Sequence, residues 1–167
     1  WITINEPNVH ATQGSLYGTW PPGDHSYRRT VAVMQALVAA HLNGYRLIHG
    51  ENDGLPGFVV DRYDRTLVVK LYSAAWFPYL TSMVDLLVDR LAPERVVLRL
   101  ARNLGSDRST GHPRDGDILV GTAPDGPVTF LENGLTFEAE VIHGQKTGWF
   151  LDQRENRAIV RSRSVGR

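Results

Sequence analysis

Apolar residues recur along this chain in two rhythms, steps of three and four and steps of two, separated by Gly- and Pro-rich breaks. The longer rhythm predicts two helices. Over 26–42, Tyr27, Val31, Met34, Val38 and Leu42 form one stripe, with Asp24 or Ser26 placed to cap it and Asn43-Gly44 to end it. Over 77–91, Phe77, Leu80, Val84, Leu87 and Leu91 form another. Pro78 suits the first turn of that helix, where a missing N–H costs nothing, and Ala92-Pro93 stops it.

The shorter rhythm predicts strands over 45–49, 58–62, 66–72, 95–100, 118–120, 128–132 and 135–142. In the third of these, Leu67, Val69 and Leu71 alternate with Val68, Lys70 and Tyr72. Hairpins are expected about Tyr63-Asp64-Arg65 and about Asn133-Gly134, a favoured two-residue turn pair. Residues 1–25, broken by Pro7, Gly14, Gly18, Pro21, Pro22 and Gly23, read as an arm or linker, and 101–117 as a polar loop. The pattern therefore predicts an α+β domain over 26–143, two helices packed on a mainly antiparallel sheet, with 144–167 set apart.

Composition narrows the class. At 42% hydrophobic and 22% charged, the chain sits with globular rather than disordered sequences. Its 18 basic and 18 acidic residues cancel, so no global field draws in a polyanion. Locally they do not cancel: 144–167 carry +4 and the residues before them −4. With no cysteine there are no disulfides, thiolate metal sites or cysteine nucleophiles, which fits a cytoplasmic protein. No apolar run reaches the ~20 residues of a membrane span. Trp1-Ile-Thr-Ile has neither an initiator Met nor a signal-peptide pattern, so the chain reads as a piece of a longer one. His49, Glu51, Asn52 and Asp53 cluster on one Gly-rich turn, a setting for backbone hydrogen bonding rather than for a metal.

The densest chemistry is the run Gly144-Gln-Lys-Thr-Gly-Trp-Phe-Leu-Asp-Gln-Arg-Glu-Asn-Arg157. Two glycines loosen a loop bearing Lys146, Thr147, Trp149 and Phe150. Asp152 stands as the N-cap of a following helix, with Glu155 three residues on. A ligand with an aromatic and a charged part suits such a loop; a capped, solvated helix end is the plainer reading. Arg95 and Arg99 share one face of their strand, and Arg157 and Arg161 lie in the basic tail; each is a candidate phosphate contact or a solvated side chain.

The run 145–157 resembles a motif of S-adenosylmethionine-dependent ribosomal RNA large-subunit (cytosine-C5) methyltransferases, where it opens the catalytic domain. Arg46-Leu-Ile-His-Gly-Glu-Asn-Asp-Gly-Leu-Pro-Gly-Phe-Val-Val-Asp-Arg-Tyr63 resembles the signature of the central domain of the same family. The resemblance implies an N-terminal arm (1–25), a substrate-side central domain (26–143) and the truncated start of a Rossmann-like methyltransferase domain (144–167). It implies that Lys146, Thr147, Phe150, Asp152, Gln153, Arg154 and Asn156 border the S-adenosylmethionine pocket, that ribosomal RNA is the partner, and that the glycine turn and catalytic cysteine lie beyond this chain. No catalytic residue or metal ligand is then expected here. A non-enzymatic RNA-binding module, and a module that dimerises through exposed Trp149 and Phe150, are the alternatives.

Overall fold

The computed structural model describes residues 43–104 and 113–164. The expected arm, the helix over 26–42 and the middle of the 101–117 loop lie outside the described residues. Within them the fold is α+β. Five strands, β1 (Gly44–His49), β2 (Phe58–Tyr63), β3 (Thr66–Leu71), β4 (Arg95–Leu100) and β5 (Ile118–Val120), hydrogen-bond in chain order. β1–β2, β2–β3 and β4–β5 are antiparallel, as the pattern predicts. β3–β4 is parallel, because the helix α1 (Leu80–Leu91) lies between them and carries the chain back to the starting edge. β6 (Val128–Glu132) and β7 (Leu135–Ala139) form a separate two-stranded sheet.

Both faces of the five-stranded sheet are buried. One face sets Phe58, Val60, Leu67, Val69, Leu71, Val96 and Leu98 against Leu80, Val84 and Leu87 of α1. The other sets Tyr63, Val68 and Val97 against Val128, Phe130, Ala139 and Val141. Alternation along β3 therefore separates two cores rather than core from solvent. Trp149 joins the second core, its ring 5.0 Å from Phe137 and 5.7 Å from Phe130. The expectation that Trp149 offers an exposed dimer contact is thus corrected: Phe130 and Phe137 already cover part of its ring, and Trp149 is half-buried.

Four boundaries differ from the pattern, each for a local reason. The first hairpin turns on two residues, Asp64 and Arg65, so Tyr63 ends β2 and pairs with Thr66. The predicted helix over 77–91 splits into a 3-10 turn (Ala74–Tyr79) and α1; Ser73 accepts from the Ala75 amide at 3.3 Å to start the turn, which holds Pro78. β7 stops at Ala139, since the Glu140 carboxylate accepts the amides of Ile142 (3.2 Å) and His143 (3.3 Å) and bends the chain out of the strand. A 3-10 turn (Leu151–Gln153) precedes the last helix, α2 (Arg154–Ser164), so Asp152 lies inside that turn and not at the N-cap of an α-helix.

Two compact units emerge. The sheet unit comprises Gly44–Leu131 and Thr136–Leu151; the second groups the hairpin tip Glu132–Leu135 with the residues from Asp152 on. The hairpin tip is Asn133-Gly134 with φ of 52° and 74°, the paired left-handed conformation that a tight β-hairpin demands.

In the sheet unit, Gly44 is fixed by lack of space. A Cβ there would stand 2.1 Å from Cδ2 of Phe130. We expect Gly44→Ala to lower the unfolding free energy in urea by about 1–3 kcal/mol. Combined with Phe130→Leu, which vacates that space, the loss should be smaller than the sum of the two single losses.

Candidate functional site

The seat of the Gly144–Phe150 loop is built around one charge. Asp61, in the middle of β2, is fully buried, and a buried carboxylate must be paired and hydrogen-bonded to be tolerated. A register shift in β1 between Arg46 and Ile48 leaves Arg46 opposite Asp61. The guanidinium grips it as a fork, Nε to Oδ1 at 2.7 Å and NH2 to Oδ2 at 3.0 Å. That bond holds Arg46 above the usual arginine value.

The loop supplies the rest. The Thr147 hydroxyl donates to Asp61 Oδ2, and because a carboxylate only accepts, the Tyr63 hydroxyl must donate to Thr147 Oγ1, 3.0 Å away. The Trp149 backbone amide in turn bonds the Tyr63 hydroxyl. Burial, reinforced by Asp61, keeps that phenol protonated well above its ordinary range. Arg46, Asp61 and Tyr63 belong to one of the two family-like segments and Thr147 to the other. They form a single hydrogen-bond chain.

Lys146 is shaped by the same seat. Its φ is 54°, and its carbonyl accepts from Lys70 Nζ at 2.9 Å. Burial, then the neighbouring Arg99, hold the Lys70 ammonium below its usual value. The Lys146 Nζ lies 4.5 Å from the centre of the Phe150 ring, which is 41% exposed. A cation already rests on that ring face.

In the second unit a different carboxylate organises the residues. Glu132, 1% exposed, takes Arg157 as a fork (2.7 Å to each oxygen) and the buried Arg154 at 3.5 Å. Burial, against the opposing pull of Glu132, holds Arg154 below the ordinary arginine value. Arg161 donates to the Asn133 carbonyl at 2.8 Å. Asn156 donates to Gln153 Oε1 at 2.6 Å, and Gln153 to Asp152 at 3.4 Å, an exposed amide–carboxylate chain at the start of α2.

The residues singled out in the sequence therefore divide. Lys146, Thr147 and Phe150 lie in the sheet unit, and Asp152, Gln153, Arg154 and Asn156 in the second. Thr147 and Arg154 are buried and spend their polar groups on Asp61 and Glu132. Among the arginines read as RNA contacts, Arg99 is 8% exposed and bonded to Asp115 and the Val141 carbonyl. Arg95 is part-buried and bonds Thr66 and the Thr122 carbonyl, Arg157 grips Glu132, and Arg161 is exposed. Asp61, Tyr63 and Glu132 went unnoticed in the sequence, although an acid inside an otherwise apolar strand run such as Phe-Val-Val-Asp signals a buried pair. Glu51 and Asp53 accept the Gly57 and His49 amides at 3.2 and 2.7 Å, the backbone role expected of that turn. Among the described residues no three His, Asp or Glu side chains converge on a metal position.

The fold is similar to one part of two solved structures. A crystal structure assigned as a methyltransferase complexed with SAH matches 93% of this chain and 36% of its own, with TM-score 0.60 and 16% identity. A Streptococcus mutans protein assigned as a SAM-dependent methyltransferase matches 98% and 38%, with TM-score 0.65 and 16% identity. Identities this low establish the fold alone. The sequence is similar, at 48% identity over 145 residues, to a ribosomal RNA large subunit methyltransferase of Deinococcus radiodurans, covering 86% of this chain and 36% of that protein. It is 37% identical over 133 residues to ribosomal RNA large subunit methyltransferase I of Shewanella amazonensis, covering 79% and 33%. The chain thus spans about a third of the length of the curated relatives it matches. No family model matches it.

Lys146, Phe150, Gln153 and Asn156 are exposed, whereas Thr147 and Arg154 are buried.

Thr147→Val should cost about 1–3 kcal/mol by leaving Asp61 short of a donor, whereas Thr147→Ser should stay near wild type in the same chemical melts. Glu132→Gln, which strands two arginines, should cost about 3–5 kcal/mol, and Arg161→Ala within about 0.5 kcal/mol. Because the Tyr63 pKa is raised on folding, the native state keeps a proton that the unfolded state gives up. Stability should therefore be intact below the ordinary tyrosine pKa of about 10 and fall as pH rises beyond it. Tyr63→Phe should remove that component of alkaline unfolding.

Proposed function

We propose that this chain is part of an S-adenosylmethionine-dependent methyltransferase acting on large-subunit ribosomal RNA at cytosine C5. It supplies the RNA-side central domain and the first segment of the catalytic domain, and works in the cytoplasm. The observation that carries the reading is the Arg46–Asp61–Thr147–Tyr63 chain, a hydrogen-bond link between the two segments that resemble the family. Identities of 48% and 37% with ribosomal RNA methyltransferases support it.

In this reading the chain holds the cofactor border and positions RNA; it has no cysteine to act as the nucleophile. By the resemblance, Lys146, Phe150, Asp152, Gln153 and Asn156 border the cofactor, while Thr147 holds its own loop through Asp61 and Arg154 its own helix through Glu132. Arg161 is the exposed arginine left for phosphate. S-adenosylmethionine supplies the methyl group when bound. Every residue named here binds or positions it.

The test joins these residues to the remaining catalytic domain of the Deinococcus radiodurans relative. Methyl transfer to large-subunit RNA, with 5-methylcytosine found by mass spectrometry, is the expected result. Calorimetry should show S-adenosylmethionine affinity about tenfold weaker in Lys146→Ala or Gln153→Ala, the loss of one charge-assisted hydrogen bond. Unchanged affinity in both variants would remove them from the cofactor site.

A further inference from the structure

The sheet unit carries a cleft that none of the groups above uses. It has a volume of about 520 Å³ and is walled by Pro56, Tyr72, Ser73, Trp76 and Tyr79, with Glu51 at its rim. That size suits one small planar ligand. Two of its aromatic residues are open to solvent, Tyr72 by 51% and Tyr79 by 61%, while Trp76 packs against the core.

The cleft is rigidly made. The Trp76 indole N–H donates to the Pro56 carbonyl at 2.8 Å, and its ring packs on buried Phe58 at 5.0 Å. Tyr79 meets Trp76 edge-on, at 6.4 Å and 74°. The Tyr72 amide donates to the Gly57 carbonyl at 2.9 Å, and the Gly57 amide to Glu51 Oε1 at 3.2 Å. Trp76, held at both its N–H and its ring, therefore has little side-chain freedom left to lose on binding.

We propose that this cleft is a stacking platform for one unpaired nucleobase of an RNA strand, with Tyr72 and Tyr79 supplying ring faces. Charge favours this occupant. The Lys70 ammonium lies over one face of Tyr72, 5.4 Å from the ring centre, and brings a positive charge beside the cleft for a phosphate, leaving the other ring face for a base. An ammonium has three N–H donors, so the Lys146 bond does not exhaust it. Glu51, a carboxylate with acceptor capacity beyond Gly57, faces the amino and imino donors of a base edge. Stacking between Tyr or Trp faces is how single strands are held where sequence matters little. The inference rests on the RNA reading of the chain and adds a place where that RNA is held.

The test is fluorescence anisotropy with a labelled single-stranded RNA dodecamer of mixed sequence, titrated with the whole 167-residue chain at fixed salt. Y72A/Y79A should bind at least about fivefold more weakly, the low end of base–aromatic stacking. Tyr79→Phe, which keeps the ring, should bind like wild type. Both must melt like wild type. Equal RNA affinity in wild type and Y72A/Y79A overturns the platform while leaving the methyltransferase reading standing, since that reading is tested separately by cofactor binding and methyl transfer. No RNA binding by the wild-type chain, or displacement of RNA from the cleft by a proline-rich peptide, overturns it too.

Discussion

Asp61 is the constraint on which the sheet unit depends. A carboxylate with no exposed surface, placed inside a mostly apolar strand, survives only if it is paired and hydrogen-bonded. Arg46 answers from β1, Thr147 from a loop far along the chain, and Tyr63 closes the chain from β2 itself. A hydrophobic side chain at 61 would pack with fewer demands. The acid instead gives the loop one acceptable position, since any register that withdraws the Thr147 hydroxyl leaves a charge short of a donor.

The second unit repeats the device with two arginines in place of one. Glu132 at the hairpin tip is a single buried acid facing two arginines one helical turn apart in α2. Two cations on one carboxylate fix the rotation of the helix about its axis, because Arg154 and Arg157 reach the same acid from only one face. The basic character of the tail therefore goes partly into holding that unit together. What remains outward, at Arg161 and Arg163, is a smaller charge than the sequence totals suggest.

Where sequence periodicity maps onto a single buried face, the structure could be read in advance. The stripe Leu80, Val84, Leu87 and the hairpin turn at Asn133-Gly134 are such cases, because helix pitch and left-handed turn preference are local properties. The parallel pairing of β3 with β4 was not readable from alternation. Period two states that a residue lies in a strand, not in which direction its neighbour runs. The Arg46–Asp61 pair was half hidden: the acid in Phe-Val-Val-Asp signals some buried partner, but a bulge sets the register that makes that partner Arg46. Trp149 read as surface because it stands in a Gly-flanked polar run, yet the aromatic residues that bury it come from the preceding hairpin. Long-range partners escape local rules.

The separation of the partners has a kinetic meaning. Thr147 and Asp61 stand 86 positions apart, and their bond closes one of the longest loops in the described chain. Closing loops of that length comes late, after local strands and helices have formed and the conformational cost has been offset elsewhere. The loop carrying Lys146 and Phe150 thus takes its shape only once β1, β2 and β3 are already assembled. An incompletely folded chain presents no ordered border to a small molecule, so ligand competence doubles as a report that the sheet is finished.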